Sequence, residues 1–155
     1  IKLEYFFPLI FLIFIFCQIL LGAFVSGMDA GRIYNSWPFM GTSYFPDDNN
    51  FTNIFKLSAF SDPSLVQFMH RNLAYIILIF YLFIFFKIYR KKIKDLYPAI
   101  NIVGLFLIIQ IFLGILTLVY GAQIILASMH QISSIFLVSS SVYLLYLNSN
   151  QQPSN

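Results

Sequence analysis

The sequence predicts an all-α membrane protein: a bundle of four transmembrane helices with an internal pseudo-two-fold repeat of helix pairs. Three observations predict it. Charge is too scarce for a water-soluble surface, four apolar runs are each long enough to span a bilayer, and short motifs recur between alternate runs. Apolar residues make up 59% of the 155 positions and charged residues 10%, with a mean hydropathy of +0.80. Soluble domains are about half apolar and about one-quarter charged, so lipid is the solvent for most of this chain. At about 20 apolar residues per span, residues 1–155 form a single four-helix transmembrane domain with no room for a large extramembrane one. The net charge of +3 comes largely from one short cluster, which points to membrane orientation and away from nucleic acid. Cys17 is the only cysteine, which excludes an intrachain disulfide framework or thiolate metal site.

The first span covers residues 5–28, where Gln18 and Ser26 are the polar interruptions. It is too long for a signal-peptide core and lacks a cleavage site. Because it begins almost at once after Ile1, the chain reads as a piece of a longer polypeptide. Residues 29–63 follow as a polar loop rich in turn formers, among them Gly31, Pro38, Gly41, Pro46, Asp47 and Asn50. A loop of this length is expected to be functional or partly structured. Within it Phe51, Ile54, Phe55 and Ala59 recur at helical spacing behind Asn49 and Asn50, which predicts a short helix on the membrane surface. The second span covers residues 65–86 and runs into a basic turn with Lys87, Arg90, Lys91, Lys92 and Lys94. The third span, residues 97–120, is joined around Gly121 to the fourth, residues 124–147, and the polar tail 148–155 is expected to fray. Positively charged turns stay on the side of insertion, so the 87–94 turn is expected on the cytoplasmic or matrix side and the 29–63 loop outside.

The repeat places Gln18-Ile19-Leu20-Leu21-Gly22 of the first span against Gln110-Ile111-Phe112-Leu113-Gly114 of the third, and Met69-His70 of the second against Met129-His130 of the fourth. Both helix pairs start and end inside, as parallel repeats about an axis along the membrane normal would. Counted from the predicted outer starts, His70 lies about 8 Å deep and His130 about 9 Å. An ionisable side chain at membrane depth signals function by default. Two imidazoles at one level on equivalent helices can approach a single central ligand from opposite sides, and heme iron takes neutral imidazole in a bundle core. Small residues nearby, Ala74, Ala127, Ser133 and Ser134, and the pairs Gly22 with Ser26 and Ala23 with Gly27, leave room for a porphyrin or for close backbone approach.

A proton relay, a non-heme metal or simple interhelical hydrogen bonding would also use two histidines. No acidic residue lies within a span to complete a zinc or non-heme iron site. Arg71 is a candidate partner for a heme propionate, or else a side chain snorkelling to the interface. Gln18 and Gln110 are expected to hydrogen-bond between helices. Asp29, at the unfavourable end of a helix dipole, is expected in an Asx-type turn with Ala30 and Gly31 aided by Arg32, with a part in shaping the outer pocket as the alternative.

Several stretches together carry a family resemblance. These are Gly22-Ala23-Phe24-Val25-Ser26-Gly27-Met28-Asp29-Ala30-Gly31, Tyr34-Asn35-Ser36-Trp37-Pro38-Phe39-Met40-Gly41, Gln67-Phe68-Met69-His70-Arg71, residues 110–114 and His130-Gln131. Over nearly its whole length the chain closely resembles the C-terminal half of heme A synthase. The resemblance implies an eight-helix enzyme of two four-helix halves in a bacterial or mitochondrial inner membrane, which oxidises the C8 methyl of heme O to the formyl of heme A for cytochrome oxidase. It implies that His70 and His130 are axial ligands of a heme b, and that the catalytic residues and the heme O substrate belong mainly to the other half. Heme O synthase and a further copy of the protein are the implied protein partners, beside the lipid bilayer and the N-terminal half. The outer loop lacks the cysteine pair of some members and resembles the proteobacterial and mitochondrial type. The alternative is a b-type cytochrome subunit that only transfers electrons.

Overall fold

The structure is a computed structural model and describes residues 3–150. Four α-helices, α1 (Phe6–Gly27), α2 (Pro63–Arg90), α3 (Tyr97–Val119) and α4 (Ile124–Ser149), are each long and apolar enough to cross a membrane. At about 1.5 Å per residue the shortest, with 22 residues, reaches about 33 Å, which exceeds the roughly 30 Å hydrocarbon core. The described residues hold no strand beyond an isolated bridge between Met40 and Ser43.

Helix α1 packs on α2, α2 on α3, α3 on α4, and α4 back on α1, so α2 and α4 face each other on one diagonal. Polar ties define the two ends. At one end Glu4 pairs with Lys87 and Lys91, each at 3.1 Å, and Asn148 Nδ2 donates to the Leu3 carbonyl at 3.1 Å. The Glu4 carboxyl is lowered to about 2, first by its own backbone N–H and then by Lys91 and Lys87. The long loop and the Gly121 turn close the opposite end, called outer below.

Helix α2 is longer than the expected 65–86. Pro63 opens it, Asp62 caps it by accepting from the Ser64 and Leu65 backbone N–H groups, and Lys87 and Arg90 favour its negative C-terminal end. The tail departs from expectation: α4 runs to Ser149 and Asn148 is buried, because its amide finds a carbonyl across the bundle. Residues 151–155 of the expected tail lie outside the described residues.

The predicted surface helix in the loop is also corrected. Two 3₁₀ turns, Phe51–Phe55 and Leu57–Ser61, replace it, with extended backbone at Lys56 between them. The expected caps are otherwise engaged. Asn50 makes no side-chain cap, while Asn49 donates to Asp62 Oδ2 at 3.0 Å and accepts from Asn53 Nδ2 at 3.2 Å.

Buried residues are unevenly distributed along the bundle. The apolar core, with Phe11, Ile15, Ile77, Ile84, Ile100 and Leu144 among its members, occupies the inner half. There Gly104 allows Tyr81 to cross onto α3 and donate to the Ile100 carbonyl at 3.1 Å. Above this core α1 has no buried residue beyond Ile15, α3 none beyond Gln110 and α4 none before Leu137. On α2 none occurs between Phe68 and Ile77. A loosely filled belt thus separates the packed inner half from the loop-covered outer end.

Candidate functional site

Both histidines lie in that belt. His70 is seven residues into α2 and His130 six into α4, so both sit about 9 to 10 Å from the outer ends of their helices. They face each other across the diagonal, with ring centroids 6.5 Å apart and ring planes at 90°. Among the described residues no hydrogen bond joins the rings, and the Nδ1 atom of each is buried without a partner. Buried polar atoms are rarely left unsatisfied unless the site has a use for them.

Each imidazole rests on a glycine of the neighbouring helix. A Cβ on Gly22 would lie 3.3 Å from His70 Cε1, and one on Gly114 would lie 3.1 Å from His130 Cε1. One turn inward from each glycine stands a glutamine on the same helix face. Gln18 Nε2 donates to the His70 carbonyl at 2.9 Å and lies 3.5 Å from His70 Nε2. Gln110 Oε1 accepts from Ser133 Oγ at 2.7 Å, and the same hydroxyl contacts the His130 carbonyl at 3.1 Å. The glutamines are thus interhelical ties, as expected. In the sequence the glycines stand out as repeat and packing positions; their service as seats for the rings follows from the four-residue spacing in Gln-x-x-x-Gly, which stacks both residues on one face.

Arg71 is turned toward the outer loop. Its Nη1 donates to the Ser36 carbonyl at 2.9 Å, and its Nη2 to the Tyr34 carbonyl at 3.0 Å and to Gln67 Oε1 at 2.7 Å. Its Nε is buried and has no partner among the described residues. Gln67 Nε2 in turn donates to the Ala30 carbonyl at 2.6 Å. Asn35 Nδ2 bridges the carbonyls of Gly31 and Leu118, each at 2.8 Å, and Trp37 Nε1 donates to Tyr75 Oη at 2.9 Å. The loop is therefore fastened over the belt by side chains from α2 and by α3. Asp29 does not form the expected Asx turn: its backbone is left-handed, with φ 51°, and its side chain caps nothing. The turn is held instead by Gln67 at Ala30, a contact from a distant helix that local sequence does not reveal.

No cluster of three or more metal-binding side chains occurs among the described residues. Two facing imidazoles suit an ion whose remaining ligands arrive with a macrocycle. In-line ligation needs about 2.0 Å from each nitrogen to the metal and about 1.1 Å more to each ring centre, roughly 6 Å between centroids. The observed 6.5 Å and the unpartnered ring nitrogens fit such a group.

Residues 4–142 match the family model for cytochrome oxidase assembly protein. The chain belongs to that family. Curated relatives in it include heme A synthases. That of Pelagibacter ubique is 44% identical over 153 residues, covering 96% of this chain and 45% of the relative. That of Rickettsia felis is 39% identical over 150 residues, covering 94% and 43%, and that of Roseobacter denitrificans is 41% identical over 118 residues, covering 76% and 31%. The chain thus spans less than half the length of these relatives. No solved structure matches it.

Proposed function

We propose that this chain is the heme-b-holding C-terminal half of a heme A synthase, with His70 and His130 as the two axial ligands. The observation that carries the proposal is the pair of imidazoles facing each other across the α2–α4 diagonal, 6.5 Å apart, in the belt where the core is loosely filled. The likeness to heme A synthases over most of the chain supports the reaction class, oxidation of the C8 methyl of heme O to a formyl group. The matching seats of His70 on Gly22 and of His130 on Gly114 support the reading of the helix pairs as copies of one unit. The basic 87–94 turn then lies on the cytoplasmic or matrix side and the loop on the other.

A bis-imidazole heme supplies one-electron transfer between ferrous and ferric iron. This chain's residues would hold it. His70 and His130 would fix its position, Gln18 and Gln110 would keep the ring-bearing helices in register, and the loop fastened by Arg71 would exclude water from the outer face. Arg71 Nε is the donor left for an acidic edge group.

The test is made in the full-length protein, expressed in a cell that lacks its own heme A synthase. His70→Ala and His130→Ala should each lower bound heme b and abolish conversion of heme O to heme A. Unimpaired heme A formation in both variants would overturn the proposal. Heme b bound by a full-length protein that leaves heme O unconverted would favour the electron-transfer cytochrome instead.

A further inference from the structure

Away from the histidines, a groove of about 510 Å³ runs along the outside of the α1–α2 pair, walled by Phe7, Phe14, Ile76, Ile79, Phe80 and Phe83. At Phe83 it meets a second hollow of about 570 Å³, where Phe86 gives way to Lys87, Arg90 and Lys91. The apolar part extends along α2 from Ile76 to Phe86, a rise of about 15 Å, which matches the hydrocarbon depth of one leaflet, half of about 30 Å. The basic part begins where that leaflet ends.

Charge at this end is unbalanced. Among the described residues Glu4 pairs with both Lys87 and Lys91, and Arg90 lines the same hollow as a further cation. Lys87 Nζ also stands 4.1 Å from the centre of the Phe7 ring, which fixes its ammonium beside the apolar wall. Arg90 is exposed and makes no hydrogen bond or ion pair among the described residues. An acyl-length apolar trough ending in surplus positive charge complements one kind of molecule.

We propose that this groove is a binding site for an anionic phospholipid of the leaflet that meets the 87–94 turn. One acyl chain lies along Ile76, Ile79, Phe80 and Phe83, and the phosphate lies against Arg90 and the lysine ammonium groups. The guanidinium is the specificity element because its planar donors match phosphate oxygens in pairs, and no group among the described residues engages them.

Native mass spectrometry of the purified chain from mixed micelles, with equal phosphatidylglycerol and phosphatidylcholine of the same acyl chains, tests the site. The wild-type chain should retain one phosphatidylglycerol in preference to phosphatidylcholine. Arg90→Gln should reduce that preference roughly five-fold, while Arg90→Lys restores most of it. Lys94→Gln, outside the groove, should leave it unchanged. Ile79→Trp, which fills the trough, should reduce retention of both lipids. Added inorganic phosphate should not displace the lipid. No preference in the wild type, equal losses in Arg90→Gln and Lys94→Gln, or displacement by inorganic phosphate would each overturn the proposal.

Discussion

A glycine beneath each imidazole determines how far the ring can move, and the two seats are not equally tight. The 3.1 Å approach at Gly114 is closer than the 3.3 Å approach at Gly22, and both fall below ordinary van der Waals contact. A methyl group at position 114 must therefore push His130 toward the diagonal or tilt it. Gly114→Ala is expected to weaken heme b binding on the order of ten-fold, the scale seen when groups that orient metal ligands are altered. Gly22→Ala should cost less. Titration of the chain with heme b, followed by visible absorbance, checks the ranking; a stronger effect at Gly22 would contradict the geometry. The histidines themselves were legible in the sequence because ionisable groups at membrane depth stand out against apolar neighbours. The role of Arg71 was not, since its carbonyl partners lie 35 and 37 residues away in a loop with no repeating pattern to read.

Among the elements, the outer loop depends on carboxylates for its closure. Asp48 accepts from Ser64 Oγ at 2.6 Å at the start of α2 and from Tyr34 Oη at 3.1 Å. Burial opposes ionisation of Asp48, but these hydrogen bonds outweigh it and hold the carboxyl below its usual value. Asp47 is lowered by Ser43 and Thr42. A carboxyl whose pKa is depressed on folding contributes stability above its unfolded value, about 3.9, and loses it as pH falls through the folded value. Loop closure should therefore hold at neutral pH and weaken below about pH 4. Hydrogen exchange across residues 34–48 should quicken in that range, and Asp48→Asn should remove part of the dependence. Exchange that is flat through the acid range would contradict it. The four spans were legible because apolar run length is set by the bilayer. The two 3₁₀ turns were not: Phe51, Ile54, Phe55 and Ala59 have helical spacing, but Asn49 is drawn to Asp62 and leaves the expected helix uncapped.

Taken whole, the molecule divides into an inner half closed by aliphatic and aromatic packing and an outer half where polar side chains and glycines replace it. Tyr81 against Gly104 belongs to the first, and His70 and His130 on their glycine seats to the second. That division was only partly legible: helix counting put His70 and His130 at one depth and the glutamines nearer mid-membrane, but the lack of buried side chains around the histidines emerges only when all four helices are assembled. In the proposed function the two imidazoles would approach one planar iron cofactor from opposite sides. Electron paramagnetic resonance of the purified chain loaded with ferric heme b tests it most directly. A low-spin bis-imidazole signal is expected, replaced by a high-spin one in both His70→Ala and His130→Ala. A low-spin signal that survives in both variants would contradict it.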